Sequence, residues 1–587
     1  MENLHLKALQ GQLIKENIDL YYLNTCDYHM SEYVPEYFRT IAYFSGFTGS
    51  LATLLVSQDS AYIFVDGRYH TQADKQCLQY GIKVVKLGTV GSLEPLEFIL
   101  KFYKNKVIGL DGKRTSINFA TSLLQKNIKI KSIDLYSCLI ENRVPLKKEK
   151  IYELDIKYTG LSRNKKLQLI KYCLAGKCHI VNNLESIAYL LNLRSNDILY
   201  TPVFLSYLVI NNNNVYLFCD IDRFDNELKD KLYADGIIIR PYESYYDYLQ
   251  IICKQTIILD KEKVNYETYS KIVGRSNKII NKRSLIEDMK SIKNNVEQAN
   301  SKLAHIYDGV AMLRFLKWID SVDKSAYDEY QIAQKINEFR LSYKAVDLSF
   351  GSIIAYDDNS AIIHYSPEKG KCKKLDNKGI LLLDTGGQYL LGTTDITRTI
   401  ALGPVSDEIK KYFTLVLKSM LNLSQVKFIR GINGKQIDVI ARQDLWANGL
   451  DYRHGTGHGV GHYLSCHEGP PNIRYMNTAS KNEDEVIKPG MIFSDEPGVY
   501  FEGKFGIRCE NLLLCKSNMK NEFGEFLKFE TLTLVPFDLR LIDVNYLDDK
   551  SRIALNNYHQ RVYESLSPYL NDDEKQYLRK ITQAIWK

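Results

Sequence analysis

The segment DTGGQYLLGTTDITRT, residues 384–399, decides the fold of the last third of this chain. The apolar run GILLLD at 379–384 predicts a strand that delivers Asp384 at its end. Glycines within the segment let the chain turn back, so that TTDITRTI presents Asp395 from a neighbouring strand. The sequence therefore predicts two carboxylates that meet across a hairpin.

Three later segments of unusual composition extend this pair of aspartates: HGTGHGVGHYLSCHEGP (454–470), SDEPGVY (494–500) and FGIRCEN (505–511). They add His458, Glu496 and Glu510. Four carboxylates and one imidazole gathered out of water would force several acids to protonate unless cations neutralise them. Two divalent ions carry four positive charges and leave room for one bridging hydroxide, so we expect a dinuclear hydrolase.

Alternation along FGIRCEN places Arg508 beside Glu510 on one face of a strand, with Ile507 and Cys509 on the other face. The segment therefore brings a carboxylate and a charge partner to the same side.

Composition narrows the class of protein. The chain has 587 residues, of which 45% are hydrophobic and 25% charged, as in soluble multidomain proteins. The net charge of +7 is spread along the chain, so we expect no nucleic-acid partner. No signal-like segment or membrane-length apolar run is present, and the 11 cysteines lack CxxC spacing, which favours reduced thiols in the cytoplasm.

Secondary-structure patterns predict four regions: α/β domains at 1–145 and 146–288, a larger domain at 289–545 and a helical extension at 546–587. In the first domain, strands are predicted at 51–56, 61–69, 82–87 and 106–112. The second repeats this rhythm, with a hairpin turned by asparagines at 207–220 and a strand at 256–260, although sequence identity is too low to identify a repeat.

A long amphipathic helix is predicted to open the third domain from residue 289. Its apolar positions recur at steps of three and four: Ile292, Val296, Ala299, Leu303, Ile306, Val310, Leu313 and Leu316. A second helix is predicted near 572–585, at the end of a polar tail.

With these motifs in order, the chain resembles the aminopeptidase P family, the Xaa-Pro aminopeptidases of the creatinase and methionine-aminopeptidase superfamily, and most of all their long, three-domain eukaryotic cytosolic branch. The order and spacing of the similar segments carry the resemblance: YHMSEYV (28–34), FSGFTGS (44–50), VDGRYHTQA (65–73), YTGLSRNKK (158–166), ESIAYLLNLRSND (185–197), TPVFLSY (201–207), AIIHYSP (361–367) and FETLTLVPFDLRLIDV (529–544). It implies an α/β and α+β multidomain fold, with two creatinase-like N-terminal α/β domains followed by a pita-bread catalytic domain.

The resemblance also implies roles for the five candidate ligands. Asp384 resembles the ligand of one metal ion alone. Asp395 and Glu510 resemble the carboxylates that bridge both ions, and His458 and Glu496 resemble the ligands that complete the second. Such enzymes commonly use Mn2+, and the oxygen-rich set would also suit Co2+ or Zn2+.

Three other histidines resemble the family's non-ligand histidines at the substrate site. We assign His364 and His467 to the reacting bond and His454 to a pocket for the proline side. Arg508 resembles a residue that orients the ligands, and Tyr500 is a further candidate at the substrate site.

Two arginines of the N-terminal half, Arg68 and Arg194, lie in family-like segments. We hypothesise that they face the catalytic cleft and limit substrate length. The resemblance further implies peptides with an N-terminal Xaa-Pro sequence as substrates, and a homodimer to which the 529–545 segment contributes.

Alternatives from two classes remain open. A prolidase, which acts on dipeptides, is the nearest, but two full N-terminal domains and HGTGHGVG favour longer peptides. Methionine aminopeptidase would not need the N-terminal half, and creatinase lacks these ligands. A binding protein that kept the fold but lost its metals would be expected to break at least one ligand position.

Several residues near the motifs have simpler interpretations. His462 is expected to be a core or surface histidine, and Asp495 a turn residue. His454 and His458 have the spacing of HExxH, but position 455 is glycine, so no zinc-protease helix is predicted. The glycines at 455–461 miss the GxGxxG pattern of a dinucleotide loop.

Overall fold

The computed structural model describes residues 3–211, 214–475 and 485–586. It divides into two units, Met1–Met289 and Lys290–Lys587. No helix among the described residues is long and apolar enough to cross a lipid bilayer. The predicted boundary near 289 falls at this division, whereas the boundaries predicted inside each unit, after residues 145 and 545, stay predictions.

The strands of the first unit are short and alternate with helices. The strands are β1 Leu20–Asn24, β2 Thr53–Ser57, β3 Ala61–Val65, β4 Lys83–Lys86, β5 Val107–Leu110, β6 Lys129–Ser132, β7 Tyr152–Glu153, β8 Cys178–Val181, β9 Leu193–Arg194, β10 Tyr207–Asn211, β11 Asn214–Phe218, β12 Ile237–Arg240, β13 Thr256–Leu259 and β14 Lys278–Asn281. The helices that begin in this unit are α1 Leu4–Lys15, α2 Thr40–Ser45, α3 His70–Cys77, α4 Pro95–Phe102, α5 Ile117–Gln125, α6 Ile156–Thr159, α7 Arg163–Leu174, α8 Leu184–Leu191, α9 Asn226–Ala234, α10 Tyr245–Ile251, α11 Tyr266–Ile272 and α12 Leu285–Ser291.

Two six-stranded sheets of identical topology form the framework of this unit. Their strand orders are β4-β3-β2-β1-β5-β6 and β12-β11-β10-β8-β13-β14. Reading along either sheet, successive pairs are parallel, antiparallel, antiparallel, parallel and parallel. The two halves of this unit are therefore structural duplicates, although their sequences have diverged, because a buried strand needs only apolar residues of suitable size.

The predicted strands of this unit are present with altered ends. The run predicted at 61–69 ends at Val65, because Asp66 accepts a hydrogen bond from the backbone N–H of Arg68 and turns the chain. The predicted hairpin at 207–220 is present, with Asn211 paired to Asn214. Its turn, at residues 212 and 213, lies outside the described residues.

The second unit combines longer helices with antiparallel strands. Its helices are α13 Asn295–Ser321, α14 Glu329–Leu341, α15 Asp407–Ser424, α16 Gly434–Trp446, α17 Asp549–Leu566 and α18 Asp572–Ile581. Its strands are β15 Asp347–Leu348, β16 Ile353–Tyr356, β17 Ile380–Thr385, β18 Gly387–Tyr389, β19 Gly392–Thr393, β20 Ile396–Ala401, β21 Lys427–Ile429, β22 Gly457–His458, β23 Asn472–Ile473, β24 Ile492–Asp495, β25 Gly498–Phe501, β26 Phe505–Arg508, β27 Asn511–Asn521 and β28 Gly524–Thr531.

The helix predicted from residue 289 begins later, at Asn295. The side chain of Asn294 accepts hydrogen bonds from the N–H groups of Val296 and Glu297, and Glu297 in turn caps Asn294. This capping box fixes the helix start, so Ile292 precedes the helix. The prediction was wrong there because apolar periodicity marks a face and not an end.

Two antiparallel sheets support the candidate site. One has the order β16-β17-β20 and the other the order β21-β28-β27-β24. The long helix α15 packs with strand residues in a core that includes Phe413, Val416 and Ile507. Strands β17 and β20 form the predicted hairpin, with β18 and β19 in the connection between them.

Candidate metal centre

The paired strands β17 and β20 carry the two aspartates. Asp384 lies opposite Thr397 in the register, and Asp395 directly precedes β20. Both aspartate side chains are buried. The hairpin therefore brings the two carboxylates together, as the sequence predicts.

The other three candidate ligands come from separate parts of the second unit. His458 ends β22, Glu496 follows β24, and Glu510 lies between β26 and β27. The N–H of Glu510 donates to the carbonyl oxygen of Thr397 at 3.1 Å, which fixes this segment on β20. The five residues thus come from, or lie next to, strands of several sheets of the second unit.

Two glycines explain the composition of the HGTGHGVGH segment. A Cβ at Gly457 would lie 2.0 Å from the carbonyl oxygen of Ser494, and one at Gly459 would lie 2.1 Å from that of Glu468. Only glycine permits this approach of the backbones. The glycines therefore seat His458 against β24 and do not form a nucleotide loop.

Three of the candidate ligands bring their metal-binding atoms close together. Asp395, His458 and Glu510 each offer one atom, all within 4.8 Å of one another. His458 Nε2 lies 3.3 Å from Asp395 Oδ2 and 3.5 Å from Glu496 Oε1. Glu496 therefore borders the group from the side of His458.

Arg508 joins Asp384 to the rest of the site. Its Nη2 donates to Asp384 Oδ2 at 2.6 Å, and its Nε donates to Thr397 Oγ1 at 3.1 Å. Thr397 Oγ1 donates to Glu510 Oε2 at 2.6 Å. These contacts connect Asp384 and Glu510 through one arginine and one threonine.

The protonation of the site reflects crowding of like charges. Burial and the charges of Asp395, Glu496 and Asp384 raise the pKa of Glu510 well above its usual range. Burial, with added repulsion from Asp395 and Asp384, raises the pKa of Glu496 to about 7 against the opposing charges of His458 and Arg508. Burial alone would lower the pKa of His458, but the Asp395 hydrogen bond and the Glu496 charge raise it to about 9. Without additional positive charge these acids are held back from ionising.

The residues fit a pair of divalent cations. His458 Nδ1 lies 2.9 Å from the carbonyl oxygen of Gly459, so Nδ1 carries the proton and leaves the Nε2 lone pair for a metal ion. Asp384 Oδ1 is buried and accepts no hydrogen bond from the described residues. Carboxylate oxygens with one imidazole are ligands typical of Mn2+, Co2+ and Zn2+.

The three other predicted histidines are connected to the candidate ligands in different ways. The rings of His467 and His458 meet edge to face, with centroids 4.3 Å apart. His364 follows Ile363, whose carbonyl oxygen lies 3.4 Å from Arg508 Nη2. His454 lies farther along the same network, since its Nε2 is 2.9 Å from the hydroxyl of Tyr500.

The hydrogen bonds fix the tautomer of His454. Arg508 Nη1 donates to the Tyr500 hydroxyl at 2.9 Å, which leaves the hydroxyl proton for His454 Nε2. His454 Nδ1 then donates to the carbonyl oxygen of Gly455 at 2.8 Å. His454 is therefore held in one orientation by Tyr500 and the carbonyl oxygen of Gly455.

Two residues of the site were missed by the sequence predictions. Thr397 shares the strand face of Asp395, so the alternation applied to FGIRCEN would have found it in DITRT. Cys466 is buried, and its Sγ–H donates to Asp395 Oδ2 at 3.0 Å. No pattern signals Cys466, because a single buried cysteine usually only fills space.

The interpretation of Asp495 as a turn residue is wrong. Asp495 is the last residue of β24, is fully buried, and neither carboxylate oxygen accepts a hydrogen bond from the described residues. Burial and the charge of Glu496 raise its pKa well above the usual range. His462, by contrast, is buried, and its Nδ1 lies 3.3 Å from Ser301 Oγ. Of its two expected interpretations, the core histidine is the correct one.

The two arginines of the first unit differ in environment. Arg68 forms a two-point ion pair with Asp66, with its Nη2 2.7 Å from Asp66 Oδ2, and its role toward substrate stays a prediction. Arg194 is buried and donates to the carbonyl oxygens of Ala188 and Leu193 at 2.9 and 3.0 Å. These two contacts hold Arg194 within its own unit, and its role in limiting substrate length stays a prediction.

Comparisons with known proteins match every part of the chain. Residues 299–517 match Metallopeptidase family M24. Residues 5–144 and 142–297 each match a Creatinase/Prolidase N-terminal domain, and residues 525–585 match the C-terminal region of peptidase M24.

Curated relatives are similar over the whole length. The "Probable Xaa-Pro aminopeptidase P" of Pyrenophora teres f. teres is 35% identical over 608 residues, which cover 98% of this chain and 91% of the relative. The protein of the same name from Talaromyces stipitatus is 36% identical, with 99% and 92% covered.

Solved structures agree with this fold. The crystal structure of X-prolyl aminopeptidase from Caenorhabditis elegans, described as a cytosolic enzyme with a di-nuclear active site, matches with a TM-score of 0.93 at 30% identity and covers 100% of both chains. Recombinant prolidase from Thermococcus sibiricus, at 23% identity and a TM-score of 0.51, shares the fold over 64% of this chain and 97% of its own. The predicted fold, two creatinase-like domains followed by a pita-bread domain, is confirmed.

Proposed function

We propose a specific reaction for this chain, which belongs to the Xaa-Pro aminopeptidase P family within metallopeptidase family M24. The reaction is hydrolysis of the bond between the first residue of a peptide and a proline in second position, with release of the first residue. The observation that carries this proposal is the close group formed by the buried Asp395 and Glu510 and the partly buried His458, with Asp384 and Glu496 beside it.

The five candidate ligands define the cofactor that we propose. Asp384 would hold one divalent ion, Asp395 and Glu510 would bridge two ions, and His458 and Glu496 would complete the second. Bound together, the two ions would activate a water molecule and polarise the scissile carbonyl. We propose Mn2+ as the physiological metal; Co2+ and Zn2+ suit the same ligands.

The histidines supply the proton chemistry that a bond before proline requires. The nitrogen of this bond belongs to a tertiary amide without an N–H, and, as in every peptide bond, it must gain a proton as it leaves. We propose that His364 and His467 act at this bond, by hydrogen bonding to the developing oxyanion and by proton transfer. His454, held by Tyr500, would contact the proline side of the substrate.

The cellular location, the oligomeric state and the limit on peptide length are also proposals. The description of the nematode enzyme as cytosolic supports a cytoplasmic location for this chain. We also propose a homodimer and a role for Arg68 in limiting peptide length. Arg68→Ala is expected to change the rate ratio between tripeptides and longer peptides, and an unchanged ratio would remove Arg68 from the site.

Three peptides distinguish the candidate activities. Purified protein is incubated with Arg-Pro-Pro, Arg-Pro or Arg-Ala-Pro, with and without Mn2+, and the products are identified by mass. We expect free arginine and Pro-Pro from the first peptide only when metal is present. Preferential cleavage of Arg-Pro would identify a prolidase, and cleavage of Arg-Ala-Pro at the same rate would identify a general aminopeptidase. Cleavage of none of the three would favour a binding protein.

Two substitutions separate metal binding from proton chemistry. Glu510→Ala should abolish both metal content and turnover, because it removes a proposed bridging ligand. His364→Ala should keep both metals and lower kcat by about 100-fold or more, the range typical of a general acid or base. His5→Ala, at an exposed histidine of α1, is the matched control. Wild-type turnover in His364→Ala would exclude His364 from the chemistry.

A further inference from the structure

The segment between β16 and β17, residues 357–379, carries His364 and is called the His364 loop. Its first part is fixed to β26, since the N–H of Gly506 donates to Ser360 Oγ at 2.7 Å. Arg508 Nη2, which also binds Asp384, reaches the carbonyl oxygen of Ile363 at 3.4 Å. The residue directly before His364 is therefore tied to the candidate metal centre.

A second anchor holds the loop from the opposite side of His364. Glu329, the first residue of α14, is fully buried. Its carboxylate accepts hydrogen bonds from four residues that lie in or just before the loop: Tyr356 N at 2.7 Å, Asn359 Nδ2 at 3.1 and 3.0 Å, Tyr365 OH at 2.6 Å and Lys373 N at 2.9 Å. The backbone N–H of Glu329 also donates to the carbonyl oxygen of Lys373 at 3.0 Å.

The donors that surround Glu329 match the acceptor oxygens of a carboxylate. Each of these donors is a neutral N–H or O–H group, and the carboxylate lies at the positive N-terminal end of α14. Burial and the charge of Glu329 raise the pKa of Tyr365, so Tyr365 keeps its proton and donates. A carboxylate can accept all of these bonds at once, whereas an amide in its place would offer one oxygen and two additional donors.

We infer that Glu329 is a positioning residue for His364, acting through Tyr365 and the loop backbone. The residues on both sides of His364 are held independently, Ile363 by Arg508 and Tyr365 by Glu329. This arrangement fixes the backbone on both sides of the His364 imidazole. The inference rests on the proposed function only in assigning His364 to the reacting bond.

Substitutions at Glu329 and Tyr365 test the inference on the metal-loaded enzyme with Arg-Pro-Pro. Glu329→Gln is expected to lower kcat about tenfold with KM and metal content unchanged, because small displacements of a catalytic group slow turnover strongly. Tyr365→Phe, which removes one hydrogen bond and keeps the ring, should lower kcat about threefold. Glu338→Gln, at an exposed residue of α14 paired with Lys335, is the control and should leave kcat unchanged. Hydrogen exchange of residues 357–373 should accelerate in Glu329→Gln and not in Glu338→Gln.

A double-mutant cycle separates positioning from general destabilisation. If Tyr365 acts through His364, Tyr365→Phe should cause no further loss of kcat in a His364→Ala background. Two results would overturn this inference but not the proposed function. The first is an equal loss of kcat from Tyr365→Phe in both backgrounds. The second is an unchanged kcat in Glu329→Gln and Tyr365→Phe while His364→Ala is impaired. Failure of the wild type to cleave Arg-Pro-Pro would instead overturn the proposed function. If Glu329→Gln does not fold, Tyr365→Phe and its cycle with His364→Ala still decide the question.

Discussion

At the scale of single residues, hydroxyl groups decide how the carboxylates are oriented. Thr397 has one hydroxyl proton, and its oxygen already accepts a hydrogen bond from Arg508 Nε. The proton is therefore directed to Glu510 Oε2, at 2.6 Å. Thr397 thus sets the direction in which Glu510 presents its other oxygen. Together with Arg508, it also links Glu510 to Asp384.

We predict that Thr397→Val weakens Mn2+ binding by about tenfold, as is typical when a group that orients a ligand is lost. Valine keeps the shape of the side chain but neither donates to Glu510 nor accepts from Arg508. Calorimetric titration of the metal-free protein with Mn2+ measures the change. Thr121→Val, which removes a buried hydroxyl bonded to the Ile117 carbonyl in the other unit, is the control. Equal affinities in Thr397→Val and wild type would show that Thr397 does not orient Glu510.

At the scale of elements, the C-terminal helix α17 supports the strands that carry the site. Arg398 on β20 is buried and donates to the carbonyl oxygen of Glu510 at 2.6 Å and to the hydroxyl of Tyr558, on α17, at 3.0 Å. His559 Nε2, on the same helix, accepts the N–H of Phe537 at 3.1 Å. Burial and the charge of Arg398 lower the pKa of His559 to about 3.

This histidine predicts a loss of stability in acid. Because the pKa of His559 is lower in the folded state than its unfolded value of about 6.5, its contribution is complete above about pH 6.5 and is lost as the pH falls toward 3. Near pH 5 the free energy of unfolding of the second unit should fall by about 1.4 kcal/mol more per pH unit in wild type than in His559→Gln, since one proton binds only to the unfolded chain. Urea unfolding at pH 7, 6 and 5 measures this difference. Parallel pH profiles for the two proteins would contradict it.

At the scale of the whole molecule, all five candidate ligands lie in one of the two units. The first unit, Met1–Met289, has its own sheets and apolar cores and contributes none of them. Binding of ions to the folded second unit should therefore stabilise that unit selectively.

Removal of metal should accordingly affect the two units differently. We expect a chelator to increase hydrogen exchange in β17, β20 and the 454–475 segment, while exchange in the sheets of the first unit changes little. Added Mn2+ at about 100 times its dissociation constant should restore about 2.7 kcal/mol of stability to the second unit. Unchanged exchange after metal removal is verified by elemental analysis would contradict a metal site in this unit.

Much of the fold was predictable because strands and helices leave periodic patterns. Apolar and β-rich runs located β2, β3, β13 and the β17–β20 hairpin, and the periodicity of apolar positions located α13. The exact ends were not predictable, because they depend on single side chains such as Asn294 and Asp66, which cap or turn the chain. The repeated rhythm of the first unit suggested a structural duplication, but sequence identity could not identify it, since two sheets can share a topology without sharing residues.

The sequence by itself predicted the candidate ligand set, because four acids and a histidine in glycine-rich segments have few other physical uses. Only the tertiary structure decided which groups hold the site residues in place. Thr397, Cys466 and Arg398 contact Glu510 or Asp395 across more than 50 residues of chain. Glu329 holds the His364 loop by its single carboxylate. The tertiary structure also placed Asp495 in the core, at the end of β24. Hydrogen bonds act over about 3 Å of space and carry no fixed spacing in sequence, so contacts of this kind arise only when the chain has folded.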